Sequence, residues 1–239
     1  MTVDFSYRHD LRERMDDPTV PEEELIAALD GLARVNFVFS GHSPSLGGLR
    51  RLAGHRRRLS VLDVGTGCAD TARRFVDWGR RAGVDLYVRG IDRSLHTVDH
   101  ARRRCVAYPE IEIAYQDLFT LREEDRFDVV HAALLLHHLT DEEAIVGLRA
   151  MYSRSRLGVV INDLHRHPVA YLGAKVLLPR ISCSEMVQED GAISVLRSFT
   201  RQELFDLVAR AGLPHPEIRW RPLFRWQVII PREESWTLM

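Results

Sequence analysis

Apolar positions along the chain fall into two textures. Up to residue 58 they recur at helical spacing, with Leu25, Leu29, Leu32 and Phe39 on one face, and residues 1–58 read as helical. Pro21 followed by Glu22, Glu23 and Glu24 opens a helix, because proline tolerates the first turn and carboxylates suit its positive end. Gly41, Pro44, Gly47 and Gly48 break the pattern before a second, short and basic helix. From residue 60 short apolar runs alternate with amphipathic stretches. Strands are expected at 61–64, 86–91, 111–115, 127–133 and 158–161, and helices near 69–82, 94–107 and 141–152. Short apolar strands separated by helices imply parallel pairing with both faces covered. The alternation pauses over 165–198. It resumes with a helix opened by Thr200, whose Glu203 completes a capping box, and ends at Gly212. Two last strands, near 218–223 and 226–230, are close enough to form an antiparallel hairpin at the sheet edge. The expected architecture is α/β. A doubly wound, seven-stranded sheet with its last strand antiparallel occupies 59–239, with an insertion at 165–198 and an N-terminal helical lid over 1–58.

Composition narrows the function more than the fold. The 239 residues carry 33 basic and 34 acidic side chains, so no global field favours nucleic acid or anionic lipid. Local runs such as Arg102-Arg103-Arg104 read as solvated faces. Cys68, Cys105 and Cys183 are scattered, which suits a reducing compartment and gives no metal-ligand spacing. No apolar run approaches the ~18 residues of a membrane span, and the first residues are charged throughout. The expectation is a soluble, cytoplasmic protein with a small-molecule partner, no nucleic-acid or membrane partner and no metal; homodimerisation is left open.

The chemistry starts at Val61-Leu62-Asp63-Val64-Gly65-Thr66-Gly67-Cys68-Ala69-Asp70, a strand, a glycine turn and a helix start. Gly65 and Gly67 let the backbone turn sharply and approach a ligand, and Asp63 places a carboxylate beside the turn. Gly90-Ile91-Asp92 ends the next strand, where an acid accepts hydrogen bonds from a ribose diol. A dinucleotide pyrophosphate wants G-x-G-x-x-G at the helix N-terminus. Position 70 is Asp, not Gly, and its charge opposes a pyrophosphate. A cationic ligand, carrying a sulfonium and an ammonium, tolerates Asp63 and Asp70.

Four segments in order resemble the class I S-adenosylmethionine-dependent methyltransferases over roughly residues 59–230. VLDVGTGCAD is similar to their glycine-rich first motif, with Ala69 where a third glycine is usual. GIDRS resembles the second, YQDLF the third and FDVVHAALLLHHL the fourth. The resemblance implies a Rossmann-like fold and S-adenosylmethionine as cofactor, with S-adenosylhomocysteine as product. It implies a donor site built from Asp63, Gly65, Thr66, Gly67, Asp70, Asp92, Arg93, Asp117, Leu118 and Ala133, with Asp92 on the ribose, Asp117 near the adenine amino group and Leu118 against the ring. His-His-Leu after the fourth strand and Asn162-Asp163-Leu164 after the fifth resemble small-molecule enzymes of the ubiquinone, menaquinone and natural-product type.

Methyl transfer needs a nucleophile held ~3–3.5 Å from the methyl carbon, and a phenol or enol benefits from a base. His137 and His138 follow the fourth strand, where crevices of open α/β sheets lie. His165 and Arg166 follow the fifth and border the same crevice. These four are the expected catalytic set. His131, inside a strand, reads as a satisfied core histidine; Asp163 or Asn162 also suits a turn cap. Asn36, polar on a packed helix face, suits either a ligand contact or a loop hydrogen bond, and Arg225 and Trp226 read as structural. The expected activity is methylation of oxygen or carbon on a small hydrophobic phenolic, quinol or polyketide-like acceptor, in secondary metabolism. The alternatives are N-methylation of a small molecule and a non-catalytic donor-binding protein. A nicotinamide oxidoreductase is disfavoured by Asp70, and a nucleic-acid or protein methyltransferase by the balanced charge.

Overall fold

The computed structural model describes residues 3–122 and 124–232, so residues 233–239 of the expected catalytic domain and 1–2 of the expected lid lie outside the described residues. Helices α1 (Glu22–Val38) and α2 (Ser43–Ala53) precede β1 (Arg58–Val64). Strand and helix then alternate through α3 (Asp70–Ala82), β2 (Asp85–Asp92), α4 (Leu95–Arg104), β3 (Ile111–Tyr115), β4 (Phe127–Ala133), α5 (Asp141–Arg154) and β5 (Ser155–Leu164). The insertion folds as α6 (Pro168–Ile181) and α7 (Glu185–Arg197). The chain continues through α8 (Arg201–Arg210), β6 (Glu217–Arg221) and β7 (Arg225–Pro231).

The seven strands form one sheet in the order β3-β2-β1-β4-β5-β7-β6. β1 to β5 are parallel, and β7 runs antiparallel to both β5 and β6. The expected hairpin is present, but its second strand is interior: β7 sits between β5 and β6, and β6 forms the edge. The chain winds outward from β1 to β3, then returns to place β4 on the other side of β1. That reversal opens a crevice above the carboxyl ends of β1 and β4, where ligands of such sheets bind.

Local chemistry explains the element boundaries. Thr140 and Glu143 form a capping box on α5, as do Thr200 and Glu203 on α8. Gly212 adopts a left-handed φ of 68° just beyond α8. Two apolar layers enclose the sheet. One lies under α5 and α8 and includes Leu62, Val130 and Ile161; the other, under α2, α3 and α4, includes Val61, Phe75 and Val88. A third, small cluster joins α1, α6 and α7 through Ala28, Val35, Leu178, Met186 and Val187.

Two expectations for residues 1–58 are corrected. Residues 3–20 are not helical apart from a 3-10 turn at Arg14–Asp16. Their backbone groups find tertiary partners instead. His9 N–H donates to Leu196 O, the amides of Arg14 and Met15 donate to Asp190 (2.7 and 3.0 Å), and Phe5 O accepts from Arg166. The segment is an irregular strap. Second, Gly47 and Gly48 do not interrupt a helix; they lie inside α2. A Cβ at Gly48 would sit 2.4 Å from Val160, so the glycine lets α2 press against the sheet.

Candidate active site

At the end of β1 the chain turns through Gly65 and Gly67, with φ of 64° and 55°. Ala69 also takes a left-handed φ, 57°, in the place where the resembled motif has its third glycine. For a residue with a Cβ this conformation costs about 1–2 kcal/mol. Asp63 is buried and anchored: Oδ2 accepts from Thr66 Oγ1 at 2.7 Å, and Oδ1 lies 2.6 Å from His131 Nδ1. His131 Nε2 meets Ser45 Oγ at 2.9 Å, and Ser45 Oγ accepts from Asn162 Nδ2 at 2.8 Å. With the proton of His131 on Nδ1, every bond in this row has one donor and one acceptor. His131 is the satisfied core histidine expected for it, and Asn162 ties β5 to α2 rather than facing a ligand.

Asp92 ends β2 with each oxygen held by a backbone amide, Ser94 N at 3.0 Å and Gly67 N at 3.2 Å. Burial lifts this carboxyl above the usual carboxylate range, against the pull of those amides. Asp117 Oδ1 accepts from Phe119 N, and Arg93 stands 3.7 Å from its other oxygen. Asp70 opens α3. Its Oδ2 accepts from Asn36 Nδ2 at 3.2 Å and lies 3.4 Å from His42 Nε2. Asn36 Oδ1 in turn accepts from Arg225 at 2.8 Å. Burial pushes the His42 imidazole and the Arg225 guanidinium below their ordinary pKa values. Asn36 therefore bridges two elements around the turn.

Across the crevice, a 3-10 turn at Leu136–His138 follows β4. Asp163, fully buried at the end of β5, caps it. Its oxygens accept from the amides of Leu136 and Leu164, and Oδ1 lies 2.6 Å from His137 Nδ1. Burial would raise the Asp163 carboxyl, but His137 holds it below the usual range. His138 Nδ1 lies 2.8 Å from Asp16 Oδ1, and Arg197 donates to Asp16 Oδ2 at 2.7 Å. Burial acts against the Asp16 anion, yet His138 and Arg197 bring its pKa down to about 2. Each histidine thus has a carboxylate behind Nδ1, which leaves Nε2 to act.

The two sides face one cavity of about 1900 Å³, roughly twice the upper end of the range for a single small-molecule site. Its wall includes all ten expected donor residues, from Asp63 to Ala133, together with His137 and His138. The strap and α1, α6 and α7 cover it.

The expected catalytic set is corrected on two members. His165 and Arg166 do not line the cavity. Arg166 is buried and donates to Phe5 O, Ser198 O and Glu203, pinning the strap to α8. His165 packs against Trp226 and His167. His165 turns toward the hairpin through Phe224 and Trp226, and Arg166 toward the strap and α8, neighbours not evident when β5 is read alone. Glu13, Asp16 and Arg197, absent from the sequence-derived set, do line the cavity. Glu13 and Asp16 sit in a segment whose charge pattern reads as solvent-exposed, and only tertiary folding brings them to His137 and His138. Arg225, read as structural, lines the cavity as well.

Strand order, the reversed β7 and the glycine turn at the switch point define the class I methyltransferase fold. Residues 61–158 match a family model described as "Methyltransferase domain". No curated protein matches the sequence. Among solved structures, the chain is similar to human N-acetylserotonin methyltransferase in complex with SAM, at 14% identity and a TM-score of 0.66 over 89% of this chain and 56% of that one. This chain thus spans little more than half the length of that relative. It is also similar to the Synechocystis magnesium protoporphyrin IX methyltransferase with bound SAM (14% identity, TM-score 0.57, 91% and 100% covered). A third is the pyocyanin biosynthetic protein PhzM (16%, 0.57, 80% and 55%). No helix among the described residues is long and apolar enough to cross a membrane.

Proposed function

We propose that the chain transfers a methyl group from S-adenosylmethionine to an oxygen or carbon of a small, hydrophobic phenolic, quinol or polyketide-like acceptor. The carrying observation is that one cavity joins the glycine turn and Asp92 to the His137–His138 turn, with room for two ligands. The residues fit the donor. A Cβ at Gly67 would meet only Leu29, 3.8 Å away, so the inner surface of the turn is open. Asp92 is held by amides alone, and its remaining lone pairs suit a ribose diol. The donor, when bound, supplies an electrophilic methyl on a sulfonium.

The chain's own residues do the rest. Asp92 and Asp117 orient the donor's ribose and adenine, and Leu118 and Ala133 give it apolar surface. His137 and His138, held from behind by Asp163 and Asp16, receive the acceptor, and an Nε2 takes its hydroxyl proton. The strap, α6 and α7 exclude water. We read residues 1–58 as the lid-bearing part, 59–239 as the catalytic domain, and the setting as cytoplasmic secondary metabolism, a reading supported by the pyocyanin biosynthetic neighbour.

Calorimetric titration with S-adenosylhomocysteine, beside an NAD control, tests the donor site. Micromolar binding of the former alone is expected, and binding of NAD instead would overturn the reading. Turnover of phenols and quinols by the wild type, lost in His138→Gln with donor affinity intact, tests the acceptor end.

A further inference from the structure

Glu13 reaches from the strap into the acceptor end of the cavity and is almost fully buried. Its Oε2 accepts from Ser194 Oγ at 2.7 Å, but Oε1 is buried without any hydrogen-bond partner. A buried, unpartnered carboxylate oxygen costs several kcal/mol unless something positive meets it. The groups it faces are two imidazoles and the Arg197 guanidinium. His137 Nε2 lies 3.7 Å away, and His138 Nδ1, which meets Asp16 at 2.8 Å, lies 3.9 Å away, both too far for a hydrogen bond to Glu13. One donor atom from each of the three residues lies within 4.8 Å of the other two.

From this arrangement we propose that Glu13, His137 and His138 bind a divalent first-row transition ion, with zinc as the representative case, between the strap and the turn after β4. Two imidazoles and one carboxylate are a ligand set such ions accept, and one coordination position remains toward the cavity. Asp163 behind His137 Nδ1 supplies the carboxylate–histidine support that orients a metal-binding imidazole. Charge agrees. Among the described residues, Arg197 stands against Glu13 and Asp16 and Arg225 against Asp163, so the three carboxylates leave one negative charge for a cation. Arg197 stands 3.7 Å from Glu13 Oε1, but its nitrogens already donate to His137 O, His138 O and Asp16. The guanidinium frames the site without filling it. The ion would also fasten the strap, since Glu13 belongs to the strap and both histidines to the sheet side.

The inference concerns the acceptor end and leaves donor binding untouched, so the S-adenosylhomocysteine titration separates a failure here from a failure of the methyltransferase reading. The experiment uses the full chain carrying Cys183→Ser, which removes the exposed thiol from competition. After dialysis against EDTA, Zn2+ is titrated calorimetrically. One equivalent should bind with micromolar or tighter affinity, and Glu13→Gln and His138→Gln should each weaken it at least tenfold. Zn2+ should also slow proteolysis within residues 3–20 in the Cys183→Ser chain and not in Glu13→Gln. Absence of saturable binding, or binding equally tight in both variants, overturns the site. His138→Gln lies at a partly exposed position, so it remains informative if Glu13→Gln fails to fold.

Discussion

The two walls of the cavity are built on different principles. The donor wall is the end of a sheet. Asp63, Asp92 and Ala133 are placed by strand pairing, with Asp63 opposite both Gly90 and His131 in the register. Behind it stand the two large apolar layers. The acceptor wall is the strap with α1, α6 and α7, joined by a small cluster of five buried apolar residues, Ala28, Val35, Leu178, Met186 and Val187. At about 1.5–3 kcal/mol for each large side chain, such a cluster cannot hold a lid by itself. Polar ties hold the lid instead, many of them between arginine side chains and main-chain oxygens. One wall is therefore rigid and general, the other adjustable and specific.

The sharpest way to break that contrast is on the donor wall. Asp92→Asn should lower S-adenosylhomocysteine affinity by about 3 kcal/mol, ~10²-fold by calorimetry, because charge-assisted bonds to a diol are lost. Thermal stability should change far less.

The lid should answer in the opposite sense. Arg8 donates to Leu139 O, Arg197 O and Asp141, and its guanidinium lies over the Phe199 ring. Arg8→Ala should cost about 2 kcal/mol, expose residues 3–20 to protease and lower kcat/KM, while donor affinity stays within about threefold. A large loss of donor affinity would show that the walls are not independent.

Acid should loosen the lid through Asp16. Its folded-state pKa, about 2, lies below the ordinary 3.8, so its contribution is complete above about pH 4 and lost as pH falls toward 2. Wild type should exceed Asp16→Asn by about 1–2 kcal/mol at pH 6 in urea unfolding, allowing for the group's partial exposure, and the gap should close near pH 2. The smallest effect is expected at Ala69→Gly. Relief of a left-handed φ, about 1 kcal/mol, is offset by loss of one buried methyl of similar worth. Stability should move by less than about 1 kcal/mol in thermal melts.

Legibility in the sequence followed the same division. Strands of the parallel sheet are short apolar runs between helices, and the turn after β1 is a local motif, so the fold and the donor set emerge from neighbours in the chain. The two buried-histidine networks were half legible: His131 reads correctly as a core residue, and Asp163 as a turn cap. Glu13 and Asp16 carry no local sign. They lie in a charged segment without periodicity, and their surroundings are created by α7 and the turn after β4. His165 and Arg166 mislead for the converse reason. They follow a strand whose end does border the crevice, but His165 packs on Trp226 of β7 and Arg166 is taken up by Phe5 O, Ser198 O and Glu203. Gly47 and Gly48 read as breakers because the close approaches that make them useful, to Gln227 and to Val160, are long-range.

The grip of Arg8 and Arg197 on the turn after β4 falls largely on carbonyl oxygens of His137, His138 and Leu139. Carbonyls are supplied by every residue type. This part of the lid's fastening is therefore indifferent to which side chains that turn presents, whereas the tie from Asp16 to His138 is not. Position 139 can be exchanged in a descendant gene without unhooking those carbonyl ties, so new acceptors can be sampled by substitution there.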